Sequence, residues 1–167
     1  MKMKINKIKL ITYSALFAAA IYVMTMVSIP LPMGYVHVGD ALIMLCACLL
    51  PTPYAVIASA IGGSLADLTL AYTAYIPFTF IIKGLIALCF CSKSEKIICR
   101  RSLTAFVPVL LLTPGGYYLA ECILTGSFIA PVATLFPNLM QAVASIVLFC
   151  VAGIALDKFN IKKHLHI

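Results

Sequence analysis

Charged residues and tryptophan are what this sequence has least of. Only 10% of its 167 residues are charged and none is tryptophan, whereas 63% are hydrophobic and the mean hydropathy is +1.11. A soluble domain carries roughly 25% charged residues, because water must wet its surface. The composition therefore excludes a water-soluble globule. It predicts an all-α membrane protein in which residues 1–167 form a single transmembrane domain.

The common catalytic and metal-binding patterns are also missing. The sequence contains no G-x-x-x-x-G-K-[ST] loop, no H-E-x-x-H and no G-x-S-x-G, so the chain lacks the usual means of hydrolysing ATP or other substrates by itself. Its seven cysteines include two close pairs, Cys46/Cys48 and Cys89/Cys91, but the C-x-C spacing indicates small packing residues instead of zinc ligands. We expect no enzyme activity, no catalytic residue, no metal and no cofactor.

The net charge of +7 is concentrated in three places. Lysine and arginine cluster at 2–9, at 93–101 and at 158–163, and only Lys83 lies inside a hydrophobic run. Clusters between hydrophobic runs indicate cytoplasmic loops, and they do not form the basic face with interleaved aromatics that binds nucleic acid. All three clusters fall on the same side only if the number of spans is even. The pattern therefore predicts that both termini are cytoplasmic.

Six hydrophobic runs predict a bundle of six transmembrane helices. Their boundaries are 8–29, 39–50, 54–70, 77–91, 103–124 and 131–156. We expect a loop at 31–38, and an interruption of the fifth helix at Pro108 and at 114–116, because proline removes a helical hydrogen bond. The first run has the length of a bilayer span and no clear cleavage site follows it, which favours a retained helix over a signal peptide.

Small residues recur at every fourth position in the third and first runs. Ala55, Ser59 and Gly63 form one series, and Ala15 and Ala19 belong to another. This spacing lets helix backbones approach closely in lipid, where no hydrophobic force drives association. Each series is consistent with packing inside the bundle or with docking of another membrane subunit.

Four ionisable residues lie within the runs, where burial costs on the order of 2.5–3.5 kcal/mol at a helix centre. They are Asp40, Asp67, Lys83 and Glu121. Structural interpretations exist for all of them: Asp40 can cap a helix N-terminus, Asp67 can face the headgroups, and Lys83 can pair with Glu121. The alternative is that they face a ligand, and the depth of Lys83 favours this alternative for that residue.

Uncharged polar residues share helix faces with these charges. Thr79 lies one turn before Lys83, and Tyr117 and Tyr118 lie four and three residues before Glu121. An apolar cavity with a few convergent polar groups is the usual form of a small-molecule site. The predicted substrate-binding residues are Asp40, Asp67, Tyr75, Thr79, Lys83, Tyr117, Glu121, Asn138 and Gln141.

Five blocks of the sequence, in order along the chain, have a familiar pattern. They are V-G-D-A-L-I at 38–43, G-G-S-L-A-D-L at 62–68, P-F-T-F-I-I-K-G-L at 77–85, G-G-Y-Y-L-A-E at 115–121 and P-N-L-M-Q at 137–141. Together they resemble the substrate-binding S components of energy-coupling factor (ECF) vitamin transporters, with the riboflavin-type subgroup as the most similar.

This resemblance implies a six-helix bundle in a bacterial cytoplasmic membrane that binds a vitamin or precursor with high affinity from outside. It also implies partners, namely a transmembrane coupling subunit and two ATPase subunits. The family's A-x-x-x-A motif, which contacts the coupling subunit, matches Ala15 and Ala19. The family's pocket maps onto Lys83 and onto the polar residues of the last two runs.

The absence of tryptophan is a departure that bears on the substrate. A flavin ring would have to stack on tyrosine or phenylalanine, which favours smaller heterocycles such as pyridoxine, a hydroxymethylpyrimidine or a deazapurine queuosine precursor over riboflavin. We expect Lys83 to bind an acceptor or an anionic group, and Tyr117 or Tyr118 to stack on the ring. The alternative function is a solitary ion-coupled carrier; a lipid-modifying enzyme is disfavoured because Asp40 and Asp67 do not form a D-x-x-x-D metal motif.

Overall fold

The computed structural model describes residues 7–31, 34–90 and 94–165; positions 2–6 and 93 of the predicted basic clusters and Cys91 lie outside them. Helices dominate this part of the chain. They are α1 (Lys7–Met26), α2 (Gly39–Leu49), α3 (Thr52–Thr69), α4 (Ile76–Phe90), α5 (Arg100–Thr104), α6 (Phe106–Thr125), α7 (Leu135–Lys158) and α8 (Ile161–Leu165). Two short strands, β1 (Ser28–Leu31) and β2 (Gly34–His37), and two 3-10 turns, Thr73–Tyr75 and Ala130–Thr134, complete the fold.

Four helical segments have the length and composition needed to cross a bilayer. They are Lys7–Met26, Thr73–Phe90, Arg100–Thr125 and Ala130–Lys158. Large apolar side chains, among them Leu111, Ile123 and Val151, are exposed on the outside of the bundle, which suits a protein whose solvent is lipid. These features confirm an all-α membrane protein. Six crossings and cytoplasmic termini remain predictions.

The short helix α2 lies at the centre of the bundle. It contacts α1, α3, α4 and α7, and nine of its eleven residues are buried. A helix that is apolar on all sides is expected in such an interior position. Cys46 and Cys48 are buried in the hydrophobic core of the bundle, as the interpretation of these two cysteines as packing residues predicted.

The segment after α1 differs from the prediction. The first helix ends at Met26 instead of continuing to 29, and the predicted loop is an antiparallel hairpin in which Ser28 pairs with His37 and Leu31 with Gly34. Pro30 cannot donate a helical hydrogen bond, but it is tolerated in a two-stranded ribbon, where one side of each strand has no partner. The hairpin returns the chain so that His37 lies beside the start of α2.

The predicted interruption of the fifth helix is also wrong. α6 is continuous from Phe106 to Thr125, with Pro114 inside it. Pro108 falls in the first turn, where the backbone N–H has no helical partner in any case. A proline inside a membrane helix is tolerated because neighbouring groups satisfy the backbone that it frees.

Glycines allow α3 to approach its two neighbours closely. A Cβ atom on Gly62 would lie 2.7 Å from the backbone oxygen of Ala18 in α1, and one on Gly63 would lie 2.9 Å from Cγ of Lys83 in α4. Ala55 and Ser59 are fully buried. The small-residue series of α3 therefore packs inside the bundle, which confirms one of its two interpretations.

The long helices alternate in direction, so one end of the bundle holds the last residues of α1, α3 and α6 and the first residues of α2, α4 and α7. We call this the cavity end. At the opposite end, Asp157 near the end of α7 accepts hydrogen bonds from the backbone N–H groups of Ile97 (2.8 Å) and Ile98 (3.0 Å), and Lys162 Nζ donates to the Ser94 carbonyl (2.8 Å). The mid-chain polar segment and the C-terminal region therefore lie together, as the charge clusters predicted.

Candidate functional site

A cavity of about 230 Å³ opens at the cavity end, between α1, α3, α4, α6 and α7. Eight of the nine residues predicted to bind substrate lie on its wall. They are Asp67, Tyr75, Thr79, Lys83, Tyr117, Glu121, Asn138 and Gln141. The ninth, Asp40, lies behind the wall and is completely buried. Residues more than 70 positions apart in the sequence therefore meet in one polar cavity inside an apolar bundle.

The centre of the site is a buried ion pair. Lys83 Nζ lies 2.6 Å from Asp40 Oδ1, and the two side chains are only 1% and 0% exposed. Gln141 Nε2 donates to the other carboxylate oxygen of Asp40 at 3.1 Å. A buried pair is stable only when further hydrogen bonds satisfy its remaining polar atoms, and Gln141 supplies one. The arrangement ties α2, α4 and α7 together and excludes Glu121 as the partner of Lys83 in this structure.

Asp40 lies in the first turn of α2, but its side chain does not cap the helix. The N-cap residue is Val38, and no side-chain capping bond is present there. The Asp40 carboxylate instead bonds Lys83 and Gln141, which corrects the capping interpretation. A negative charge in the first turn is still favoured by the helix dipole. Asp40 thus positions two wall residues without itself reaching the cavity.

Tyr117 completes the surroundings of Lys83. The Lys83 ammonium lies 5.3 Å from the centroid of the Tyr117 ring, within the range of a cation–π interaction. The Tyr117 hydroxyl lies 3.1 Å from Thr79 Oγ1. Tyr118, by contrast, is absent from the wall and donates its hydroxyl proton to the Phe128 carbonyl at 2.9 Å. Of the two tyrosines predicted to stack, only Tyr117 lies on the cavity wall.

Asp67 is the carboxylate on the α3 side of the wall. It is 6% exposed, and its Oδ2 atom has no hydrogen-bond partner among the described residues. Thr79 is a side-chain partner of the same carboxylate, and Lys83 is close enough to interact with it electrostatically. Gly63, one turn earlier on α3, allows this close approach of α3 to α4 because any side chain there would contact Lys83 and Thr79.

Glu121 lies on the opposite wall, near the end of α6. The side chains of Tyr75 and Thr134 lie near its carboxylate. Asn138 lies one turn into α7, and its Nδ2 donates to the Thr134 carbonyl at 2.9 Å. Glu121 is half-buried, and it faces the cavity without a cation of its own among the described residues.

His37 and Thr25 also line the cavity, although neither was among the predicted binding residues. The sequence placed His37 in an outer loop that could cover the cavity, and Thr25 gave no signal because one threonine near a helix end is common. His37 Nδ1 accepts a hydrogen bond from the Gly39 N–H at 3.3 Å. Burial and the nearby charge of Lys83 lower the pKa of His37 to about 4, against the opposing effect of Asp40. His37 is therefore neutral at physiological pH.

A second, shallower concavity of about 580 Å³ lies between α1 and α3. Ala15 and Ala19 are exposed on its wall, together with apolar residues such as Ile57 and Ile61. Its polar groups are few, Ser14 and two tyrosine hydroxyls among them. We call it the α1–α3 groove.

A family model described as "ECF-type riboflavin transporter, S component" matches residues 5–158. The chain belongs to this family. The match begins before α1 and ends at the last residue of α7, so it includes the whole cavity wall and the α1–α3 groove. No match was found among curated proteins. This S component is a substrate-binding subunit of an ECF transporter and a multi-pass membrane protein, and its family consists of binding subunits instead of enzymes.

Proposed function

We propose that this S component captures a vitamin or vitamin-like precursor in the cavity at its cavity end. It would then deliver the compound through an ATP-driven ECF module in the bacterial cytoplasmic membrane. The observation that carries the proposal is the convergence of polar side chains from α3, α4, α6 and α7 on one cavity of an apolar bundle. Burying so many polar groups in a membrane protein is costly, and ligand binding is the common reason for it.

Each group on the wall has a proposed part in binding. The Tyr117 ring would lie against a face of a flat heterocycle, and Asp67, Glu121, Asn138 and Gln141 would bond its polar edges. Thr79 bonds the Tyr117 hydroxyl, and Tyr75 lies near Glu121. The positive charge of Lys83 is already matched by Asp40, so Lys83 would donate a hydrogen bond without requiring an anionic ligand. Asp40 is a positioning residue in this scheme.

The size of the cavity supports a small substrate. Its volume of about 230 Å³ lies below the range of about 300–1,000 Å³ typical of pockets for drug-sized ligands. Among the candidate compounds, pyridoxine, a hydroxymethylpyrimidine and a deazapurine queuosine precursor are smaller than riboflavin. The cavity volume and the absence of tryptophan both favour these compounds over the tricyclic flavin.

The α1–α3 groove is the proposed contact with the coupling subunit. Its exposed Ala15 and Ala19 would let a helix of that subunit approach the backbone of α1, as small residues do in membrane helix pairs. Two ATPase subunits bound to the coupling subunit would supply the energy, because the S component has no phosphate-binding loop of its own.

The test is to identify the compound that the purified protein carries and to measure whether uptake of that compound needs ATP. We expect mass spectrometry of protein purified from membranes to reveal a bound heterocycle. That compound should accumulate only in vesicles that also contain the coupling subunit and active ATPases. A matched control contains ATPases whose P-loop lysine is replaced. Uptake by the S component alone would contradict the proposal and would favour a solitary ion-coupled carrier.

A further inference from the structure

The wall of the cavity carries an excess of formal negative charge. Lys83 and the buried Asp40 form one neutral pair, and His37 adds no charge at physiological pH. Asp67 and Glu121 also line the cavity, and the described residues pair neither of them with a cation within salt-bridge distance. The charged side chains of the wall, taken together with Asp40 behind it, therefore have a formal charge of −2.

We infer that the substrate is a nitrogen heterocycle carrying a protonated amine or amidine group, which Asp67 and Glu121 bind. This inference rests on the proposed function, because it names the substrate class of the same site. The two carboxylates lie on different helices, Asp67 on α3 and Glu121 on α6, and both line the same cavity as Tyr75. A ligand seated beside Tyr75 is therefore within reach of both negative groups.

The unpartnered oxygen of Asp67 is the first independent support. Buried carboxylate oxygens are almost always hydrogen-bonded, and an orphan buried acceptor costs about 1–3 kcal/mol or more. Asp67 is more than nine-tenths buried, faces the cavity, and has no bond to Oδ2 within the described part of the chain. The atom is enclosed by protein in this structure, and a rotation of the carboxylate toward the cavity would present it to an N–H donor of the ligand.

The two amides of α7 are the second support, because each already has one of its two N–H donors bound by the protein. Gln141 donates from Nε2 to Asp40, and Asn138 donates from Nδ2 to the Thr134 carbonyl. An amide oxygen only accepts hydrogen bonds. Each amide keeps one N–H and adds one acceptor oxygen to a cavity that already holds two carboxylates. Acceptors therefore outnumber the remaining amide donors, which favours a ligand rich in N–H donors.

This arrangement disfavours two other ligand classes. A carboxylate or phosphate on the ligand would meet the repulsion of Asp67 and Glu121, while the attraction of Lys83 is cancelled by Asp40. A neutral flavin ring presents several acceptors and a single ring N–H, so riboflavin could offer the two carboxylates only that N–H and the uncharged hydroxyls of its ribityl chain. A heterocycle with a primary ammonium group and ring N–H donors matches both walls.

Paired probes that differ only in the amine test the inference directly. The S component in lipid nanodiscs is titrated with two pairs of compounds. The first pair is pyridoxamine and pyridoxine, and the second is 7-aminomethyl-7-deazaguanine and 7-cyano-7-deazaguanine. Riboflavin is the reference. We expect the aminated member of at least one pair to bind about tenfold or more tightly than its neutral partner, the usual worth of a charge-assisted hydrogen bond.

Charge-removing variants then locate the effect. Asp67→Asn and Glu121→Gln should each lower the preference for the amine about tenfold while keeping the shape of the side chain. The matched control is Glu95→Gln, which removes an exposed carboxylate outside the cavity and should leave the preference unchanged. Thermal unfolding of each variant verifies that it is folded. If one of the two cavity variants fails to fold, the other is sufficient for the test.

The outcomes separate this inference from the proposed function. Equal or tighter binding of the neutral members, or an unchanged preference in both cavity variants, would overturn the inference. Riboflavin bound more tightly than every amine would also overturn it but would leave the proposed function standing. Failure of every compound to bind, with no small molecule in the purified protein, would overturn both.

Discussion

The two ends of the bundle use their carboxylates in different ways. At the opposite end, both oxygens of Asp157 accept backbone N–H bonds from the chain before α5. At the cavity end, Asp40 is equally satisfied by Lys83 and Gln141, but Asp67 keeps an oxygen without a partner within the described residues. Both carboxylate oxygens of Asp157 and of Asp40 have hydrogen-bond partners within the protein. Asp67 has one oxygen that can still accept a hydrogen bond.

This difference offers a way to separate structural from ligand-facing charges in a membrane protein. A buried charge that is fully paired contributes to the fold, and its removal should lower stability. A buried charge that faces a cavity with unused hydrogen-bonding capacity should matter to affinity more than to stability. The following predictions test that division, beginning with the largest expected effect.

Replacement of Lys83 by methionine should be the most damaging change. It leaves the fully buried carboxylate of Asp40 without its cation, and breaking a buried pair typically costs about 3–5 kcal/mol. The measurement is thermal unfolding in detergent or nanodiscs. The double variant Lys83→Met/Asp40→Asn is the control, because removing both charges together should recover much of the loss. A single variant as stable as the original protein would contradict the ion pair.

Acidification should destabilise the cavity end through His37. Its pKa is about 4 in the folded protein and about 6.5 when unfolded. The unfolded chain therefore binds the proton more readily, and this contribution to stability is present above pH 6.5 and is lost as the pH falls toward 4. The loss amounts to about 3 kcal/mol at pH 4.

The His37→Asn variant isolates this contribution from those of other groups. The amide oxygen of asparagine can accept the Gly39 N–H bond that Nδ1 accepts now, but it does not titrate. The free energy of unfolding, measured from pH 7 to pH 4, should fall less steeply in the variant. Parallel curves for the two proteins would show that His37 is not held neutral by burial and by Lys83.

Asp157→Ala should affect the opposite end alone. The variant loses two charge-assisted acceptors of backbone N–H groups, and we expect a cost of about 2 kcal/mol in unfolding free energy. Affinity for the substrate should stay unchanged, because some 16 residues of α7, about 24 Å of helix, separate Asp157 from Gln141. Asp67→Asn is the counterpart and should show the reverse pattern. Lost affinity in Asp157→Ala would break the distinction between the two ends.

Most of the fold could be predicted because lipid imposes simple rules. Each of the six hydrophobic runs corresponds to a helix, since a span of apolar residues in a membrane has almost no other way to satisfy its backbone. The errors were local. The hairpin of Ser28–Leu31 with Gly34–His37 and the continuity of α6 through Pro114 depend on tertiary neighbours, which override the local preference of proline.

The residues that line the site could be predicted from the cost of burying them, but the ion-pair partner of Lys83 could not. Lys83, Asp67 and Glu121 stood out because charge is expensive in lipid, and all three line the cavity. The sequence suggested Glu121 as the structural partner of Lys83, whereas the structure pairs Lys83 with Asp40, because α2 lies at the centre of the bundle. Thr25 was not predicted for the same reason, since the end of α1 is brought to the cavity by packing. His37 was expected only in an outer loop that could cover the cavity.

The smallest predicted effect compares alanine substitutions at two glycines. Gly63 lies at the close contact between α3 and α4, whereas Gly115 has open space around it. Gly63→Ala places a Cβ 2.9 Å from Lys83 Cγ and 3.2 Å from Thr79 Cγ2, so these side chains of α4 must shift. We expect a cost of about 1–2 kcal/mol in stability, as for other overpacked sites. Substrate binding should weaken as well. Gly115→Ala is the matched control on α6, where no described atom lies within 4 Å of the new Cβ. There the better helix propensity of alanine should be neutral or stabilise by up to about 1 kcal/mol. Thermal unfolding and ligand titration of both variants measure the contrast. Equal effects would mean that the close approach of α3 to α4 does not set the position of Lys83 in the cavity wall.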